Sequence, residues 1–182
     1  KQLTEDLTSA FFDYYAEEHI RKDVASYGHY FLGSVIISLK DGQNYIIDGQ
    51  QRLTSLTLLL MFLHNLQKEQ GQMEVKIAEL IYSEKYGEKS FNLNIQERAA
   101  CMAQLFDHGS YDNGEETESI QNISKGYDCI NDAFPDKLKE QALPFFIDWL
   151  VDNVVLVEIT AYSDQDAYRV FETMNDRGLS LT

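Results

Sequence analysis

Apolar residues return along this chain first at helical and then at strand spacing, and each change of period marks an element. Leu3, Leu7, Ala10, Phe11 and Tyr14 share one helical face, with Thr4 placed as a cap and Glu5 and Asp6 in the first turn. From Tyr30 to Leu39 the chain is apolar on both faces and β-branched towards its end, as in a buried strand. Asp41-Gly42-Gln43-Asn44 supplies turn residues, and Tyr45-Ile46-Ile47 closes a predicted hairpin. From about Gly49 to about Gln67, leucines with Met61 and Phe62 cover nearly every face, which predicts a central buried helix.

Residues from about Met73 to about His108 read as helical, with looser patterning near Phe91 to Asn94. Gly109 to Ser119 is polar and acidic, hence a surface loop. Ile120, Ile123, Tyr127, Ile130 and Phe134 form a helical stripe that Pro135 stops. Pro144 starts a short helix ending near Val151, and Val154 to Ile159 is a strand. Ser163 and Asp166 have capping-box spacing before a helix carrying Ala167, Val170, Phe171 and Met174, with Gly178 at its exit. The elements predict a mixed α/β (α+β) fold over residues 1–182. It has a small sheet, a buried central helix, and an added, mostly helical region at about 73–151.

Composition narrows the functions open to such a fold. With 44% hydrophobic residues in 182, a sizeable core is available. Thirty acidic against fifteen basic residues give a formal charge of −15. DNA affinity comes mostly from cations set against phosphates, so little or no direct DNA binding is expected. A small anion held by a few cations and backbone amides remains compatible. Cys101 and Cys129 lack zinc or redox spacing, and reduced, half-buried cysteines of a cytoplasmic protein are expected. The longest apolar run, Leu58 to Leu63, is too short to span a bilayer. Lys1 is not a native start, so the chain is expected to be a fragment of a longer protein.

The candidate chemistry lies in Asp48-Gly49-Gln50-Gln51-Arg52, where the second strand gives way to the buried helix. A helix start leaves amide N–H groups unpaired and carries partial positive charge, so it favours anions. Gly49 lets the backbone approach a ligand, and Arg52 adds a planar fork that matches phosphate oxygens. Gln50 and Gln51 can orient a water or a phosphate oxygen, and Asp48 can hold Mg²⁺ or steer a water. A purely structural reading is equally open. It makes Asp48 the helix cap, Gln50 and Gln51 solvent-facing, and Arg52 one half of a surface pair. Five residues do not choose between the two.

Asn175-Asp176-Arg177-Gly178 follows the last amphipathic helix and offers a second guanidinium and an amide; it also suits an ordinary helix terminus. His19, His29, His64 and His108 are scattered without metal-site spacing. There is no Gly-x-x-x-x-Gly-Lys loop and no arguable catalytic triad.

Three stretches in this order, Tyr30-Phe31-Leu32-Gly33-Ser34, Ile46 to Thr54, and Ala167 to Leu179, resemble the DGQQR-motif family. That family is the N-terminal domain of GmrSD-type, modification-dependent restriction systems and related phage-defence proteins. The resemblance implies a fold related to ParB and sulfiredoxin with helices added. It also implies binding and hydrolysis of a nucleoside triphosphate with Mg²⁺, and coupling to a separate C-terminal nuclease domain of the HNH type. On that reading Asp48, Gln50, Gln51 and Arg52 are catalytic. Gly33, Ser34, Gly49, Arg52, Asn175 and Arg177 bind nucleotide, and Asp48 holds the metal. Gly33 and Ser34 also fit close packing within the sheet. The rival function is a non-catalytic regulatory or assembly module acting on the partner domain; direct DNA recognition is a third reading, which the charge disfavours.

Overall fold

The computed structural model describes residues 1–40, 42–71, 73–85, 88–93, 96–112 and 117–179, with side chains omitted at 85, 88, 89, 96, 164 and 175–179. Helix accounts for 58% and strand for 19%, an α+β balance. The chain forms two compact units. One comprises Lys1–Gly28 and Thr54–Asn153, the other His29–Leu53 and Val154–Thr182.

The first unit is helical and built on α2 (Gln50–Glu69), which begins in the second unit. Leu58 through Leu63 are all buried in sequence, so every face of these turns is covered and no polar stripe is needed. Around them lie α1 (Gln2–Phe12), α3 (Ala78–Ile81), α4 (Ala99–His108), α5 (Glu118–Ala133) and α6 (Leu143–Asp152). Phe11 stands edge-on to Phe146 with ring centres 5.4 Å apart, and Trp149 packs at 5.9 Å. Gly126 lets α5 approach α2 closely, since a Cβ there would sit 3.2 Å from Leu58 Cδ1. Trp149 donates its indole N–H to the Gly28 carbonyl at 3.0 Å, and Asn153 donates to the Tyr27 carbonyl at 2.8 Å. The two points where the chain leaves this unit are thereby tied together.

Asn65 carries a polar link through the packed interior, from α2 to α4 and α5. Asn65 donates to the Leu105 carbonyl at 2.7 Å and to the Tyr127 hydroxyl at 2.9 Å, all buried. Burial raises the Tyr127 phenol pKa, and the Asn65 bond opposes the rise. Asn65→Leu is expected to cost about 1–3 kcal/mol for each buried group it leaves unpaired. A urea midpoint unchanged from wild type would show that these groups find water instead.

Three expectations need correction here. Thr4 is buried inside α1 and does not cap it; the helix begins at Gln2. The stretch from Met73 to His108 is not continuous helix. It holds an antiparallel hairpin, β3 (Tyr82–Lys85) with β4 (Glu88–Phe91), and a 3₁₀ turn at Gln96–Arg98. Glu and Lys favour helix there, but the Tyr82–Phe91 pairing and the Asn92 amide, which bonds the Glu79 and Leu80 carbonyls, override that preference. The cysteines divide, with Cys101 buried and Cys129 exposed, and neither is in a disulfide. Part of the expected 109–119 loop, residues 113–116, lies outside the described residues.

The second unit is a three-stranded sheet in the order β2–β1–β5, with β1 (Tyr30–Lys40), β2 (Gln43–Asp48) and β5 (Val154–Ala161). The predicted hairpin is present, with Ile37 opposite Ile46 and Lys40 opposite Gln43; the strand therefore takes up Gln43 and Asn44, expected in the turn. β5 runs parallel to β1 from Tyr30–Val154 to Ser38–Ala161. Helix α7 (Asp164–Leu179) covers this sheet, placing Ala167, Val170 and Phe171 against Ile36, Ile159 and Ala161. Its start is capped as predicted, the Ser163 hydroxyl accepting from the Asp166 N–H at 3.1 Å and donating to the Asp166 carboxylate at 2.7 Å. Burial along β1 is less complete than its sequence implies: Val35, Ile36 and Ser38 are buried, whereas Phe31 is 66% exposed.

Candidate functional site

The junction between β2 and α2 follows from the backbone of one residue. Asp48 makes the last pair of β2, opposite Ile36, and the chain then turns at Gly49 with φ +90°. The Gly49 carbonyl accepts the first helical bond, from the Leu53 N–H at 3.0 Å, so Gly49 occupies the cap position and the helix proper starts at Gln50. Asp48 stands one residue too early to be the cap that the structural reading assigned it. Glycine is required at 49 twice over, by its φ and because a Cβ would lie 2.6 Å from Val35 Cγ1 and 3.3 Å from Val35 Cα.

The next side chains diverge. Gln50 turns back and donates to the Ile46 carbonyl at 2.8 Å, which pins the helix start to the end of β2. Gln51 is exposed, and Asp48 is half-buried. Arg52 is half-buried in the first turn and donates through Nη1 to the Ser34 carbonyl at 2.5 Å. Ser34 lies two residues beyond the last β1–β2 pair, so the guanidinium reaches past the point where β2 ends. Beside it, Gly33 has φ +117° and sits where the β1–β5 register slips.

Of the residues selected from sequence, Gly33, Ser34 and Arg52 are thus in mutual contact, and Asp48, Gly49, Gln50 and Gln51 lie at the same junction. Asn175 and Arg177 fall in α7 by backbone, but their side chains lie outside the described residues. The helix runs through Gly178 to Leu179 instead of ending before Asn175. A single glycine costs about 1 kcal/mol relative to alanine, which does not by itself stop a helix. Met174, the preceding residue, brings its sulfur within 4.0 Å of the Ser34 hydroxyl, which sequence reasoning did not foresee. Val35, the floor under Gly49, was also missed; only its register one step beyond Gly33-Ser34 hinted at it.

Among the described residues no group of three or more His, Cys, Asp or Glu side chains is placed to hold a metal ion by itself. One carboxylate at Asp48 still fits the way Mg²⁺ is held with a nucleotide, through one or two carboxylates plus phosphate oxygens and water. Two open pockets, of about 630 and 670 Å³, lie in the helical unit and contain none of the residues selected from sequence. The first is lined by Tyr15, Lys137 and Glu140, the second by Arg21, Glu74 and Lys139. Arg21 is already held by Asp148 at 2.6 and 2.7 Å, with Glu74 nearby, so its charge is spent on protein carboxylates.

Among the described residues no helix is long and apolar enough to cross a membrane. Comparison with curated proteins gives no match. The model of one protein family, described as GmrSD restriction endonuclease, N-terminal domain, matches residues 1–182. That span takes in both units and the whole junction around Arg52, and the chain accordingly belongs to the family of GmrSD restriction endonuclease N-terminal domains, part of a restriction system.

Proposed function

We propose that this domain binds and hydrolyses a nucleoside triphosphate, and that turnover controls a separate HNH-type nuclease domain of the full-length protein in phage defence. The observation that carries the reading is Arg52, a guanidinium in the first turn of a 20-residue helix, held beside the glycine turn that starts it. The partial positive charge of a helix start favours phosphate oxygens, and the guanidinium supplies the charge-assisted contact. Phosphoryl transfer needs mainly positioning and charge stabilisation. Gln51 is the side chain assigned to orient the attacking water, because the Gln50 amide is engaged by Ile46. Asp48 would anchor Mg²⁺, which supplies charge neutralisation between phosphates when bound. Asn175 and Arg177 are assigned to the same ligand from the family resemblance.

The test is calorimetric titration with each of the four ribonucleoside triphosphates plus Mg²⁺, alongside phosphate release. A folded protein that binds none of them would remove the nucleotide reading and leave the regulatory module. A DNA titration completes the assay. At a formal charge of −15 the domain has too few cations to displace many counterions. Fluorescence anisotropy with unmodified duplex DNA at physiological salt should show no binding at micromolar protein. Tight, salt-sensitive binding would shift the function to direct DNA recognition.

A further inference from the structure

Gly33 was selected as a residue that touches nucleotide, yet its surroundings give it another task. We infer that Gly33 and the Ser34 carbonyl form a seat for the Arg52 guanidinium, positioning the fork instead of meeting the ligand. A Cβ built on Gly33 would lie 3.0 Å from Arg52 Cζ and 3.2 Å from both Nη1 and Nη2. Near-equal distances to three atoms of a planar group mean that Gly33 stands over the face of the guanidinium. Any side chain would have to occupy the space of that plane. Backbone φ of +117° independently strains any L side chain, so the register slip at Gly33 serves the close approach.

The Ser34 carbonyl fixes the remaining freedom. It engages Nη1, the nitrogen on the Cδ side of the group, at 2.5 Å. That bond leaves the Nε–Nη2 edge as the two-donor fork, the geometry that takes two oxygens of one phosphate. A guanidinium held on one face and one edge loses little freedom when it binds, which favours affinity. Gly33 and Ser34 are therefore positioning residues for the site proposed above, and the inference rests on that reading for the identity of the anion. Lysine at 52 has neither a plane to rest on Gly33 nor a second edge, so the seat is specific to arginine.

The test begins with the wild-type protein and needs no ligand. In ¹⁵N NMR, the Arg52 Nε–Hε signal, assigned by its disappearance in Arg52→Lys, should show slow guanidinium rotation and protection from solvent exchange. A freely rotating Arg52 overturns the seat. Gly33→Ala should release this signal and weaken binding of Mg²⁺ with ATP, GTP, CTP or UTP by about tenfold or more. In an Arg52→Ala background the same substitution should cost no further affinity, because the group it displaces is gone. Additive losses overturn the inference, since Gly33 would then act on the ligand or the fold without Arg52. Urea midpoints of the wild type, Gly33→Ala, Arg52→Ala and the double variant separate affinity from stability. If Gly33→Ala does not fold, the wild-type rotation rate decides the question alone. A slow, protected Arg52 in a protein that binds no nucleotide supports the seat and removes the nucleotide reading.

Discussion

Arg52→Ala is expected to weaken nucleoside triphosphate binding by roughly 10- to 150-fold while leaving the protein folded. The range follows from about 1.5–3 kcal/mol for a hydrogen bond to a charged group, at 1.4 kcal/mol per factor of ten. Part of the loss is indirect, because the Ser34 carbonyl loses its donor as well. Ser34 is only half-buried, so water can replace the guanidinium and the fold should tolerate the change. Arg52→Lys should recover only part of the affinity, since an ammonium offers a point charge without the planar fork. Calorimetry with Mg²⁺ and each triphosphate measures both variants. Full recovery by lysine would show that charge alone holds the phosphate.

Gly49→Ala should be the more damaging change to stability. The left-handed backbone costs an alanine about 1–3 kcal/mol, and forcing a methyl against Val35 adds about 1–3 kcal/mol of overpacking. Together these take away about 2–6 kcal/mol, against a typical total of about 5–15 kcal/mol for a domain. The neighbouring turn supplies the control. Gly42 has φ +74° but nothing within 4 Å of an added methyl, so Gly42→Ala should cost only the backbone part, about 1–3 kcal/mol. Urea unfolding followed by circular dichroism compares the two. Equal losses would mean that Val35 moves aside freely and that the close approach at Gly49 is not a constraint.

The strand–glycine–helix junction was legible because three local signals agree there. β-branched residues end at Ile47, a glycine follows Asp48, and apolar residues then cover every helical face. The α5 stripe and the Ser163–Asp166 cap were legible for the same reason. The hairpin at Tyr82–Phe91 was not, because Glu and Lys suit a helix and the deciding contacts come from Asn92 and a cross-strand aromatic pair. The parallel partner of β1 was hidden too. Val154 to Ile159 reads as a strand, but periodicity says nothing about which neighbour it takes or in which direction. At the site itself, Arg52 could be chosen from its position, whereas its bond to Ser34 could not. That bond depends on β1 continuing past the end of β2, a matter of strand register that no local pattern encodes.

Tyr30 and Val154 begin the parallel strands that carry Gly33 and pair Ser34, and most of the helical unit, Thr54–Asn153, lies between them in the chain. Closing so long a loop in an unfolded chain is entropically costly, and pairings of that separation form slowly. The Trp149 bond to Gly28 and the Asn153 bond to Tyr27 are expected to shorten that search. Once the helices have assembled, both exits are already side by side, and β5 meets β1 through a closure of a few residues. During synthesis the β1–β2 hairpin and its glycine turn emerge early but wait for Val154 before their sheet is complete. The sheet that carries the Arg52 seat is therefore expected to be completed late in folding, after the helices that bring β1 and β5 together.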